Sequence, residues 1–395
     1  MKCSRSLAVG KALLTFACLG AVATAGAAEW SAAPTVSWSM DHDSNRLLIE
    51  DGPASEAGFL QLDLLLKRAM PDSSFTLRPH VGWQRFTDNS VRNADYQSLD
   101  AAGMWKEDNS VYTAQAAYTR DNLLNSELAD TGIFTGGSKR TSKNGAFSWT
   151  HDFSDRNNLQ AQLSYADVQY EDQDIILFFG LPFEVRNLYG YRYPSITIVQ
   201  SHVISPRTTL QVSAYGGRLT PTEDRPVSDN YGTQIGFTRA LTSRYTLSIS
   251  AGGSRQSTDS NTETGYIGRL ELTRTDALGQ WHASIARSVS ASALGLLVRI
   301  DEAILSLDQR LTPRWSTHFA LRGVRTEDVG LVGETQHSLY ERADAAFIWQ
   351  TTRTWKLTAT TSFTRARRAD ALPVASGWTA MLAAVWTPRP SMLSR

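Results

Sequence analysis

Apolar and polar residues alternate with period two over most of this chain. In Leu210-Gln211-Val212-Ser213-Ala214-Tyr215, the apolar Leu210, Val212 and Ala214 share one face and Gln211 and Ser213 the other. Trp355, Leu357, Ala359 and Phe363 oppose Lys356, Thr358, Thr360 and Ser362 in the same way, and 159–165 and 245–251 repeat the scheme. A β-strand with two unlike faces produces this pattern. It predicts strands near 34–42, 57–68, 75–87, 96–107, 111–121, 143–153, 158–171, 193–204, 208–220, 231–241, 245–257, 266–276, 281–292, 298–311, 315–327, 340–351, 355–368 and 377–387. These make 18 strands, with 16 as the competing count because the hairpin from Thr35 to Leu66 alternates least clearly.

Between the strands a turn motif recurs: Ser154-Asp155-Arg156, Ser205-Pro206-Arg207, Thr242-Ser243-Arg244, Thr312-Pro313-Arg314 and Thr351-Thr352-Arg353. The arginines are 51, 37, 70 and 39 residues apart, and a further turn at Leu278-Gly279-Gln280 falls inside the widest interval. Ser, Thr, Asp and Pro suit tight turns through fixed φ and side-chain-to-backbone bonds. A unit of about 37 residues holds two strands, one tight turn and one longer loop, the asymmetry of an outer-membrane barrel. Tryptophans 83, 105, 149, 281, 315, 349, 355, 378 and 386 stand near strand ends, where amphipathic rings form interfacial girdles. The fold class expected is therefore all-β, a transmembrane antiparallel up-and-down β-barrel.

The N-terminus reads differently. Lys2, Arg5 and Lys11 precede an apolar run from Ala12 to Ala23, and Ala25-Gly26-Ala27 fits a small-x-small cleavage site. Residues 1–27 are thus expected to be a signal peptide and 28–395 the barrel, exported to a bacterial outer membrane. Both cysteines, Cys3 and Cys18, lie in the signal, which excludes disulfides and thiol catalysis in the remainder. Formal charge is zero overall; the signal holds three basic residues and no acidic ones, leaving −3 elsewhere and no basic excess for nucleic acid. Past the signal, no run approaches the ~20 apolar residues of a membrane helix.

Polar-face residues should line the interior, which at 16–18 strands is too wide for side chains alone to fill. Candidates are Gln160, Gln162, Gln211, Arg239, Arg269, Glu271, His318, Arg322, Lys356 and Arg365. The loop from Asp172 to Arg192 carries an apolar run, and its Phe178, Phe179 and Phe183 are candidates for a constriction folded into the lumen, or for packing on other loops. The seven histidines lack metal-ligand spacing, and neither a nucleophile elbow nor a phosphate-binding loop occurs. No catalytic residue, metal or cofactor is expected, although an envelope-acting barrel enzyme and a closed adhesion barrel stay open as rivals.

Residues 287–299 (Arg287-Ser288-Val289-Ser290-Ala291-Ser292-Ala293-Leu294-Gly295-Leu296-Leu297-Val298-Arg299), then Asp301, Leu305-Ser306-Leu307 and Leu311-Thr312-Pro313-Arg314-Trp315-Ser316, resemble the barrels encoded with exopolysaccharide machinery, the EpsL-like or VpsM-like porins. The resemblance is best over 280–386. Ala291 and Ala293 stand where such porins often carry Pro and extra Gly. It implies export of a polysaccharide alongside a periplasmic polysaccharide-export protein, with Tyr165 and Tyr215 as rings that would stack on the sugars, and with outer-membrane lipid and the barrel-assembly machinery as further partners. The alternative is a general or sugar-selective uptake porin.

Overall fold

The structure, a computed structural model, describes residues 29–394 apart from 49, 51, 88–92, 123–138, 172–175, 179–180, 184–187, 223–224, 259–260, 329–336 and 368–373. The expected signal peptide lies outside the described residues. The first seven strands are β1 (Glu29–Asp43), β2 (Ser55–Ala69), β3 (Ser73–Phe86), β4 (Ala94–Glu107), β5 (Ser110–Asn122), β6 (Lys139–Ser154) and β7 (Asn157–Glu171). A small hairpin of β8 (Ile176–Phe178) and β9 (Leu181–Phe183) follows. Next come β10 (Tyr191–Ser205), β11 (Thr208–Pro221), β12 (Ser228–Ala240), β13 (Tyr245–Thr258), β14 (Thr262–Asp276), β15 (Gly279–Ala291) and β16 (Leu297–Arg310). The last are β17 (Trp315–Asp328), β18 (His337–Gln350), β19 (Trp355–Arg367), β20 (Ala375–Trp386) and the short β21 (Ser391–Ser394).

Each long strand pairs antiparallel with the next, β7 pairs with β10, and β20 pairs with β1 from Val36↔Trp386 to Asp43↔Thr379. The result is a closed barrel of 18 strands, so the count of 16 is set aside. The first hairpin, whose alternation is weakest, is fully zipped from Glu29↔Ala69 to Asp43↔Ser55. β21 extends the line of β20 along β1.

The tight turns show why Ser and Thr recur there. Thr312 Oγ1 accepts the amides of Arg314 (3.2 Å) and Trp315 (3.1 Å). Thr242 does the same for Arg244 and Tyr245, and Thr352 for Thr354 and Trp355. Each hydroxyl satisfies amides that the ladder cannot reach. Thr312→Ala should therefore cost about 0.5–1.5 kcal/mol in denaturant titrations, with strand content by circular dichroism unchanged.

Register divides every strand into two faces. One carries Trp38, Leu60, Val212, Ile235, Leu270, Leu305, Phe347 and Leu382, all large, apolar and exposed. Soluble surfaces do not carry an apolar band encircling the molecule. Near the tight turns the same face carries stacked aromatics: Trp105 on Tyr112 (5.3 Å) and Trp315 on Trp349 (5.0 Å). Towards the longer loops it carries Tyr118, Tyr165, Tyr231, Tyr266 and Trp378, all exposed. Two aromatic rims around an apolar band, on a barrel without free edges, satisfy a bilayer and its interfaces. This is a membrane-spanning barrel of the outer-membrane type.

Candidate functional site

The interior is not an empty bore. β15 pairs with β14 from Gly279↔Asp276 up to Arg287↔Gly268 and no further, although β14 runs on against β13 to Thr262. β15 and β16 stay zipped to Ala291↔Leu297. The end of β15 therefore parts from β14, while β16 stays laddered to β17 as far as Val298↔Asp328, so the hairpin end bends inwards together with the end of β17. Its tip is fixed locally: Ser292 Oγ accepts the Leu294 amide (3.3 Å) and donates to the Leu296 carbonyl (3.1 Å). Gly295 has φ +67°, and a Cβ there would lie 2.7 Å from Tyr189 Cβ, so only glycine fits on both counts. The tip docks through the Tyr189 amide, which donates to the Ala293 carbonyl at 2.9 Å.

The tip sequence Ala293-Leu294-Gly295-Leu296-Leu297-Val298 is too apolar for a loop in water, and all five of its apolar residues are buried. On one side Leu294, Leu296, Val298 and Ile300 pack with Val324 of β17, Tyr340 of β18, Ala366 of β19, Ala375 of β20 and Leu48. On the other, Leu297 packs with Val168 of β7, Tyr191 of β10 and Leu219 of β11, joined by Val289 and Ala291. One hairpin reaches both walls only from inside the barrel. The packing thus makes this hairpin end a flap across the lumen, and it fixes which face of every strand is the inner one.

With the faces fixed, the expected interior residues can be placed. Gln160, Gln162, Gln211, Arg269, Glu271, His318, Arg322 and Lys356 lie on the inner face. Two others do not. Arg239 shares the outer face of β12 with Ile235 and Phe237, at its tight-turn end. Arg365 shares the outer face of β19 with Phe363 and meets Glu341 across the surface at 3.5 Å. Strand ends project past the hydrocarbon, where the outer face meets headgroups and water and tolerates charge. Polarity there does not mark the lumen; parity does. Tyr165 faces outwards and Tyr215 inwards. Of the expected constriction, Phe179 lies outside the described residues, and Phe178 and Phe183 are placed only by backbone, on β8 and β9. The flap itself went unanticipated as a constriction, although its apolar run between two strands was the available signal.

Most inner charges are paired. Arg269 meets Glu271 at 2.9 Å with His282 beyond it at 3.3 Å. His318 meets Asp308 (2.7 Å), Arg322 meets Glu302 (2.7 Å) and Arg342 meets Asp344 (2.8 Å). Arg299, near the flap base, binds Glu263 of β14 and also Glu327 of β17 at 3.3 Å. Gly265 leaves room for that guanidinium; a Cβ there would stand 3.2 Å from Nη2.

Among the described residues, neither flap cluster includes any of β2–β6. Along this wall and on to β10 two cross-strand rows run in register. Arg78, Asp100, Ala117, Asn144, Ala166 and Tyr193 form the row nearer the loops. Thr76, Ala102, Gln115, Ala146, Ser164 and Ser195 form the row below. Alanines make a low floor between hydrogen-bonding side chains, under a cavity of about 470 Å³. Arg78 is steadied from behind by Asp63, Nε to Oδ2 at 2.6 Å, yet its side chain is 58 % exposed to the cavity. Tyr193 closes the far end, lying over Gly217, where a Cβ would come within 2.7 Å of its hydroxyl.

No family model matches this chain, and no curated protein does. Among solved structures, the siderophore receptor PirA from Pseudomonas aeruginosa is similar at 9 % identity, covering 90 % of this chain and 80 % of that one, with a TM-score of 0.47. Pseudomonas aeruginosa OccK5 (OpdH) is similar at 11 % identity over 91 % and 98 % of the two chains, with a TM-score of 0.48. OccK2 (OpdF) of the same organism, solved with glucuronate, is similar at 12 % identity over 92 % and 98 %, also at 0.48. These are likenesses of overall fold alone.

Proposed function

We propose that the chain is a passive outer-membrane channel for small polar solutes, with neutral saccharides the class that best fits the uncovered wall. The observation that carries this reading is the flap. It covers the upper inner wall of β7, β10, β11 and β17–β20, and leaves the β3–β6 wall with the lower parts of β7 and β10 as the path. That wall offers a cation, a carboxylate, two amides, paired serines and a phenol above an alanine floor. Mixed donors and acceptors suit hydroxyl-rich solutes, and scattered weak contacts let a solute leave as readily as it enters. The uptake alternative read from the sequence is thus preferred to polymer export. Export keeps the resemblance over 280–386 as its support and would require the flap to withdraw; its periplasmic partner belongs to that reading alone.

The test is conductance in planar bilayers together with sugar permeation into vesicles. The wild-type protein should give discrete current steps and admit monosaccharides. Ala146→Trp, which fills the floor without touching the flap, should reduce both several-fold while strand content stays unchanged. A wild-type protein that conducts nothing and admits no sugar overturns the reading. Loss of secreted polysaccharide in a strain lacking the chain, with sugar uptake unaltered, would favour export.

A further inference from the structure

We propose that the β15–β16 flap is a gate, hinged at the Gly268–Arg287 pair and latched by Arg299, whose open state restores the β14–β15 ladder. The proposal rests on the channel reading above.

Apart from the β1–β20 closure, where β21 takes over part of β1, the rest of the barrel wall is joined by backbone hydrogen bonds along nearly the whole strand. Between β14 and β15 the ladder stops halfway, and side chains hold the rest. Arg299, on the same face of β16 as Asp301, reaches across to bind Glu263 of β14. On the outer side Arg287 lies over the Tyr266 ring at 4.3 Å while Asp301 grips its guanidinium at 2.5 Å. Rotamer-rich side chains make a weaker seam than a continuous ladder, so the wall should part here first.

The closed state also leaves polar groups unsatisfied. Asn230 Oδ1 and Gln256 Oε1 are buried without a hydrogen-bond partner, and their residues stand opposite each other on β12 and β13. Asn230 donates to the Tyr193 hydroxyl at 3.4 Å, and Tyr193 packs against the flap cluster. Gln256 stands opposite Glu263, the residue that holds Arg299. Orphaned acceptors beneath a docked element favour its release, because water reaches them once it lifts.

Register defines the open state. Continuing the Gly268↔Arg287 pairing places Ile267 opposite Ser288, Tyr266 opposite Val289 and Thr264 opposite Ala291. The flap, together with the end of β17 to which it stays laddered, would then complete the wall and leave the lumen clear. Against this stands the exposure of Leu294, Leu296 and Leu297 to water, which keeps the gate mostly shut. The two states are thus set by apolar burial on one side and by backbone pairing plus amide hydration on the other.

The residues beyond the expected signal contain no cysteine, so introduced pairs report without interference. Leu219→Cys with Leu297→Cys should lock the flap down, and oxidation should abolish the larger of two conductance levels until reductant is added. Arg299→Gln should raise occupancy of that larger level by on the order of tenfold, as expected when a hydrogen bond to a charged group is lost. Thr264→Cys with Ala291→Cys should become linked in membranes, because only the open register brings them together. A single conductance level indifferent to the Leu219–Leu297 link overturns the gate but not the channel. Failure of the Thr264–Ala291 link under conditions that close the other overturns the gate whether or not the protein conducts.

Discussion

Val212→Arg should abolish assembly of the barrel, whereas Ser213→Arg, one residue along the same strand, should leave it nearly intact. Val212 sits near the middle of β11 on the outer face, opposite Ile235 of β12, and is 51 % exposed to what must be lipid. An arginine on the lipid face at the bilayer midplane costs roughly 2–4 kcal/mol. The closed ladder offers it no interior refuge. Ser213 points the other way, opposite Gln234 on the inner wall, where a guanidinium meets water and polar neighbours. The measurement is the fraction of each variant recovered folded in outer membranes, followed by denaturant titration of the folded portion in vesicles. Equal tolerance of the two variants would mean that the alternation does not separate lipid from water, and the membrane reading would fall with it.

The same alternation explains what could be read from the chain without its structure and what could not. All 18 strands were legible because each has one lipid-facing and one lumen-facing set, and the Ser/Thr turns mark where one strand ends and the next begins. Polarity alone misplaces Arg239 and Arg365, whose charge suggests the interior while their register puts them on the outer face. Carrying parity from Phe237 or Phe363 would have put both outside. The flap was hidden for a different reason. Residues 287–293 keep their period-two pattern right through the departure from β14, since β15 and β16 remain paired to each other. A local pattern does not report whether a hairpin continues a wall or turns in from it. What betrays the flap is five apolar residues at a loop tip, together with a glycine in the left-handed region.

Tyr340→Ala should undock the flap while leaving the barrel standing. Tyr340 is 2 % exposed and stands at the centre of the cluster formed by Leu294, Leu296, Val298, Ile300 and Val324. Removing a buried aromatic ring typically costs about 3–5 kcal/mol. The strand that carries Tyr340 is held independently, by ladders to β17 from Trp315↔Trp349 to Glu327↔His337 and to β19 from Leu339↔Arg367 to Gln350↔Lys356. Its lipid face is unchanged by the substitution. The loss therefore falls on the contact between flap and wall, and the undocked fraction should rise by roughly 10²–10⁴. Hydrogen exchange can localise the effect. The Leu294, Gly295 and Leu296 amides should exchange faster by that factor, while amides in the middle of β17, β18 and β19 keep their protection. Tyr340→Phe retains the ring and should move the flap amides little. If instead Tyr340→Ala speeds exchange evenly through β17–β19 and spares the flap tip, the cluster stabilises the wall and not the flap, and the division of the interior described above is wrong.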